Sequence, residues 1–189
     1  MSKLFSLLYE PEKKFKHLME NDDGKHKKRM NAIIFLAAIT PFLFILIYEF
    51  IAPFNPQNSD APIMLRIIGL IIPIIFGLTI SFVLLKYVFP FLIQSIAQAI
   101  TKKRINIEQT RFVFAYSLVP VIIVTPLKVI YFADNPIIMY LIYLALIIAT
   151  LNSLYILFTG VRLVYSTSKI NGLIAISPYI ALVLIGSFI

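Results

Sequence analysis

A chain of 189 residues that is 60% hydrophobic and 14% charged, with a mean hydropathy of +0.91, holds more apolar surface than one soluble domain of that length buries. A net charge of +8 would suit a nucleic-acid binder in a soluble protein, but here the basic residues follow the boundaries of five apolar blocks and read as membrane orientation, with no nucleic-acid partner. The lack of cysteine excludes a disulfide framework and a thiolate metal site.

Residues 1–30 form a basic tail ahead of the first block. Leu4, Phe5, Leu7 and Leu8, then Pro11, then Phe15, Leu18 and Met19 lie among Lys13, Lys14 and Lys16, a spacing that predicts an amphipathic helix at the membrane interface. Asn21 to Gly24 breaks it.

The apolar blocks are residues 31–51, 63–85, 112–132, 137–159 and 171–189. Each matches the roughly 20 residues that a helix needs to cross a bilayer about 30 Å thick. Continuous runs such as Ile67–Ile80 lack the alternation of a barrel wall, so the expected fold is all-α: a bundle of five transmembrane helices over residues 31–189. The first block is too long for a signal-peptide core and has no small-residue cleavage site behind it, so it reads as a retained span. In the second, Gly69, Pro73, Gly77 and Ser81 fall four apart, the mark of a close-packing helix face. Beyond Lys86 the apolar character runs on to Ile100 with Gln94, Ser95, Gln98 and Thr101 on one side, which predicts a helix leaving the bilayer along its inner surface. Spans three and four are separated only by residues 133–136 and form an antiparallel hairpin.

Of the 17 Lys and Arg, 15 lie in residues 1–30, between blocks two and three, or between blocks four and five. Positive charge favours the cytoplasmic side, so the N-terminus is expected inside and the C-terminus outside, with anionic lipid at the inner face as a partner.

Tyr116 and Ser117 in span three, and Asn152 and Tyr155 in span four, fall at similar depths and are expected to reach one polar layer. Hydrogen-bonding glue within the hairpin is the favoured role, and a ligand-facing notch opened by Pro120 is the other. Glu49, Arg66 and Lys128 lie near the outer ends of their spans, where they either form a charge cluster or extend to the interface. His17 and His26 lack ligand spacing, and no phosphate loop, H-E-x-x-H or G-x-S-x-G occurs. No catalytic site, metal or cofactor is expected.

Phe114-Ala115-Tyr116-Ser117-Leu118-Val119-Pro120 follows a basic turn, and residues 151–172 close the fourth span with Tyr155, Gly160, Ser168 and Lys169. Together these stretches resemble the Yip (Ypt-interacting protein) domain, with its aromatic-x-Tyr-Ser-Leu-x-Pro pattern in span three and its Tyr-x-x-x-x-Gly exit and Ser-Lys turn after span four. Leu8-Tyr9-Glu10-Pro11 followed by Phe15 is similar to the opening of prokaryotic-type members. The resemblance implies Tyr116, Ser117, Pro120, Tyr155 and Gly160 as matching positions, with Gly160, Ser168 and Lys169 at the last cytoplasmic turn. It implies a non-enzymatic multi-pass protein of the cytoplasmic membrane, or of an internal Golgi-type membrane in a eukaryotic source. Such a protein would act as a scaffold that binds other membrane proteins or itself. The rival expectation is a small transporter or lipid-handling protein, which needs the Tyr116/Ser117/Asn152/Tyr155 layer to line a cavity.

Overall fold

Pro11–Glu20 forms helix α1, opened by a proline whose missing N–H costs nothing in a first turn. The computed structural model describes residues 10–20, 25–51, 63–127 and 136–188. After α1 come α2 (Lys25–Ile51), α3 (Ile63–Val83), a π-turn over Leu84–Val88 and α4 (Phe89–Thr101). Then follow α5 (Ile107–Ser117), α6 (Val119–Val124), α7 (Pro136–Tyr165) and α8 (Lys169–Phe188). No strand occurs among the described residues, so the all-helical expectation holds. Among the described residues, three stretches, Ile71–Thr101, Ile107–Leu127 and Pro136–Tyr165, are long and apolar enough to cross a membrane.

Two prolines shape the chain locally. Pro90 offers no N–H and crowds the carbonyl four residues back, that of Lys86. The helix answers with a wider turn, closed by the Phe89 N–H on the Leu84 carbonyl, and α3 runs into α4 without a break at Lys86. Pro120 acts in the same way on the Tyr116 carbonyl, and α5 ends at Ser117 before α6 begins.

At the centre stands α5, packed against α7, α2 and α4, and residues 113–120 are buried in an unbroken run. Within that run every residue except Tyr116 and Ser117 is apolar, as a segment enclosed on every side requires. The kinked pair α5–α6 lies against α7, while α8 closes the bundle against α4 and α7, and α2 holds α3. The small-residue stripe of α3 is divided between two environments. A Cβ on Gly77 would stand 2.7 Å from the Phe42 ring of α2, whereas Gly69 faces open space.

The outward faces of α3 and α7 remain apolar, with Ile72, Phe76, Tyr140 and Leu151 all exposed. Several threonine hydroxyls are satisfied within their own helix: Thr40, Thr79, Thr125 and Thr150 each donate to the carbonyl four residues back. Such threonines carry no unpaired donor into an apolar surrounding.

Candidate functional site at the basic end of the bundle

Antiparallel packing brings the end of α7 beside the start of α5, and α1, the start of α2, the end of α4 and the start of α8 gather there. Lys27, Lys28, Arg29, Lys102, Lys103, Arg104 and Lys169 are exposed around this end.

Local chemistry sets each turn. Gln98 accepts the Lys102 N–H at 2.7 Å on its carbonyl, with Lys102 in the left-handed region at φ 56°. The side chains of Gln94 and Gln98 both donate to the Ile105 carbonyl, at 2.7 and 3.3 Å, and tie the basic loop back onto α4. Asn106 caps α5 by accepting the Glu108 N–H, and Glu108 in the first turn pairs with Arg111 at 2.7 Å. At the other turn, Ser166 at φ 48° and Thr167 donate to the carbonyls of Leu163 and Arg162, which closes α7 in a Schellman motif. The Ser168 hydroxyl accepts the Asn171 N–H at 3.3 Å and caps α8. Of the expected turn residues, Ser168 is therefore a cap and Lys169 is exposed in the first turn of α8.

Gly160 lies within α7 rather than in the turn. A Cβ there would collide with the Val113 side chain and stand 3.1 Å from the Phe15 ring. The missing side chain opens a notch, and Phe15 of α1 fills it with none of its surface exposed. Phe15 meets Phe112 edge to face at 6.2 Å, so the amphipathic helix forms as expected but turns its central aromatic into the protein. Leu4, Phe5, Leu7 and Leu8 lie outside the described residues. One turn from Gly160, the hydroxyls of Thr110 and Tyr165 share a buried hydrogen bond of 2.8 Å.

The expected polar layer is only half assembled. Tyr116 is buried, meets the Phe112 ring at a tilt of 49° with centroids 4.6 Å apart, and lies within electrostatic reach of Arg29. Ser117 is fully buried and donates to the Phe114 carbonyl of its own helix at 2.7 Å, so it is not glue across the hairpin. Pro120 is buried beside them, and Asn152 is half-buried on α7. Tyr155 does not join: it is 55% exposed, on the outer face of α7. At 100° per residue, Tyr155 and Gly160 stand about 140° apart around the helix and cannot share a face. Ser153, Ile156, Leu157 and Gly160 take the inner face instead. Ser153 Oγ is buried near the Tyr179 hydroxyl, outside hydrogen-bonding geometry. Of the outer charge cluster, Lys128 lies outside the described residues, as do the side chains of Glu49 and Arg66.

Phe15, Val113, Thr110 and Tyr165 escaped reading as a site because each is an ordinary core residue type. The available signal was Gly160 on the same α7 face as Leu157 and Ser153, which marks a close approach.

No curated protein and no solved structure matches the chain. The family model described as the Yip1 domain covers residues 5–189. With a model spanning nearly the full length and several apolar helices long enough to cross a bilayer, this multi-pass membrane protein belongs to the Yip1 domain family.

Proposed function

We propose that the protein is a non-enzymatic membrane scaffold with five spans, N-terminus inside and C-terminus outside, which binds other membrane proteins or itself through its helices and its basic inner face. The observation that carries this reading is the filled interior at the depth of Tyr116 and Ser117. Those side chains pack among Phe112, Phe114 and the α7 face, and the Ser117 hydroxyl is bonded within its own helix. A transport or lipid-handling path would need this layer, with Tyr155, to line a passage, and Tyr155 faces outward. The rigid core leaves the outward apolar faces and the exposed basic residues as the surfaces on which partners and anionic lipid would act. The membrane is read as the cytoplasmic one, in keeping with the resemblance to prokaryotic-type members.

Crosslinking in native membranes, followed by mild-detergent purification and mass spectrometry, is expected to recover a stoichiometric partner or a homo-oligomer. A monodisperse monomer with no crosslinked partner would overturn the scaffold reading. Flux or lipid scrambling in proteoliposomes that is lost in Ser117→Leu would favour transport.

A further inference from the structure

Lys86 is the single charged residue between Arg66 and Lys102, in the middle of a stretch apolar enough to cross a bilayer. A lone ionisable group in such a segment calls for a partner. Among the described residues Lys86 forms no ion pair. Its ammonium instead lies 5.1 Å from the Phe82 ring centroid and 5.4 Å from that of Tyr87. The Arg111 guanidinium lies 4.9 Å from the same Tyr87 ring. Two cations are thus held within cation–π reach of one aromatic, at the π-turn that Pro90 imposes.

The cluster sits at the basic end despite its position in the sequence. Tyr87 meets Arg111 and Phe89 stacks on Phe114 at 5.9 Å, so the start of α4 lies level with the first two turns of α5. The Arg111 side chain, from the second turn of α5, reaches the Tyr87 ring and so brings a second cation to the aromatic that Lys86 meets.

Charge and chemistry define the ligand. Glu108 neutralises one arm of Arg111 through its 2.7 Å contact, so Lys86, Arg111 and Glu108 together carry one net positive charge. The Arg111 Nε–H is buried with no acceptor. An ammonium and a guanidinium are the two groups best suited to phosphate oxygens, one as a point charge and one as a planar fork. Tyr87 is exposed, and Val83, Leu84 and Val88 on the adjoining turns present apolar surface outward. We propose that Lys86 and Arg111, both within cation–π reach of the Tyr87 ring, bind the phosphate of an anionic membrane lipid, whose acyl chains lie along the Val83–Val88 surface. The positive net charge selects against a zwitterionic headgroup, whose own cation would oppose Lys86. The proposal rests on the membrane placement argued above.

The test uses the full chain in mild detergent, titrated with phosphatidylglycerol or phosphatidylcholine and read by native mass spectrometry. Wild type is expected to retain phosphatidylglycerol in preference to phosphatidylcholine, and Lys86→Gln to lower that retention about fivefold, the worth of one cation near an anionic headgroup. Lys86→Arg should keep it, since the positive charge remains at that position. Equal retention by wild type and a monodisperse Lys86→Gln would overturn the site, as would equal retention of the two lipids. Inorganic phosphate at millimolar concentration is expected to leave the lipid bound; displacement by phosphate would overturn the lipid as ligand. An intact crosslinked complex with lipid retention unmoved by Lys86→Gln would remove this site alone. Selective retention without any protein partner would remove the scaffold reading alone.

Discussion

Thr110 and Tyr165, 55 positions apart in the chain, hold their hydroxyls 2.8 Å from each other in the interior of the bundle. Both residues are 1% exposed or less, so either hydroxyl left alone loses a partner that water cannot replace. Tyr165→Phe and Thr110→Val are each expected to lower stability by about 1–2 kcal/mol. The double variant should lose less than the sum of the two, with a coupling of about 1 kcal/mol read from a denaturation cycle in detergent. Additive losses would mean that the pair contributes nothing as a pair.

Gly160→Ala places a methyl group against Val113 and beside Phe15. Because the core is packed on both sides, the expected loss is about 1–3 kcal/mol, measured as a shift of the unfolding midpoint. Adding Val113→Ala removes the colliding methyls and should recover part of the loss; no recovery would place the strain elsewhere.

Phe15→Ala should act locally. Phe15 on α1 is fully buried, and the exposed Lys13–Glu10 and Lys16–Glu12 pairs lie on and beside the helix. Such surface pairs are worth less than about 1 kcal/mol each, so they cannot hold α1 in place. Trypsin is expected to cut the variant in α1 at least tenfold faster while the remainder resists cleavage, and unchanged cleavage would show that α1 is held by other contacts.

Ser166 adopts φ 48°, where a side chain is disfavoured by roughly 1–2 kcal/mol relative to glycine. Ser166→Gly is therefore expected to raise the unfolding midpoint, and Ser166→Val to lower it further than any loss of a surface hydroxyl explains. Calorimetry or static light scattering on heating reads both, and a fall for the glycine variant would contradict the Schellman geometry.

The lack of native cysteine makes topology directly measurable. In the five-span arrangement a membrane-impermeant maleimide added to intact cells should label Ser59→Cys and leave Lys103→Cys unlabelled until the membrane is opened. The reverse pattern would invert the orientation, and equal labelling of both would remove the second span.

Much of the fold was legible because it depends on composition along the chain. The helical class and the span-sized stretches follow from run length, since a backbone in lipid must satisfy its own hydrogen bonds. In the sequence Pro120 reads only as opening a notch in a continuous span, whereas the helix breaks after Ser117; Asn106 and Ser168 are the polar caps that helix starts require. The site was less legible. Tyr116 and Ser117 do lie in the core, but matching depth alone put Tyr155 with them, and depth ignores rotation about the helix axis. The amphipathic pattern around Phe15 was visible, whereas its seat was not, because lipid and a protein notch are equally apolar to a sequence pattern.

By itself, then, the sequence determined a helical membrane protein of the Yip1 domain family, its basic segments and its helix punctuation, since each depends on residues near one another in the chain. Only the tertiary structure decided that Gly160 opens a seat for Phe15, that Thr110 finds Tyr165, and that Lys86 meets Arg111 around one ring. Those pairings join separate helices, and their azimuth and crossing are set by how side chains interlock, which no single helix encodes.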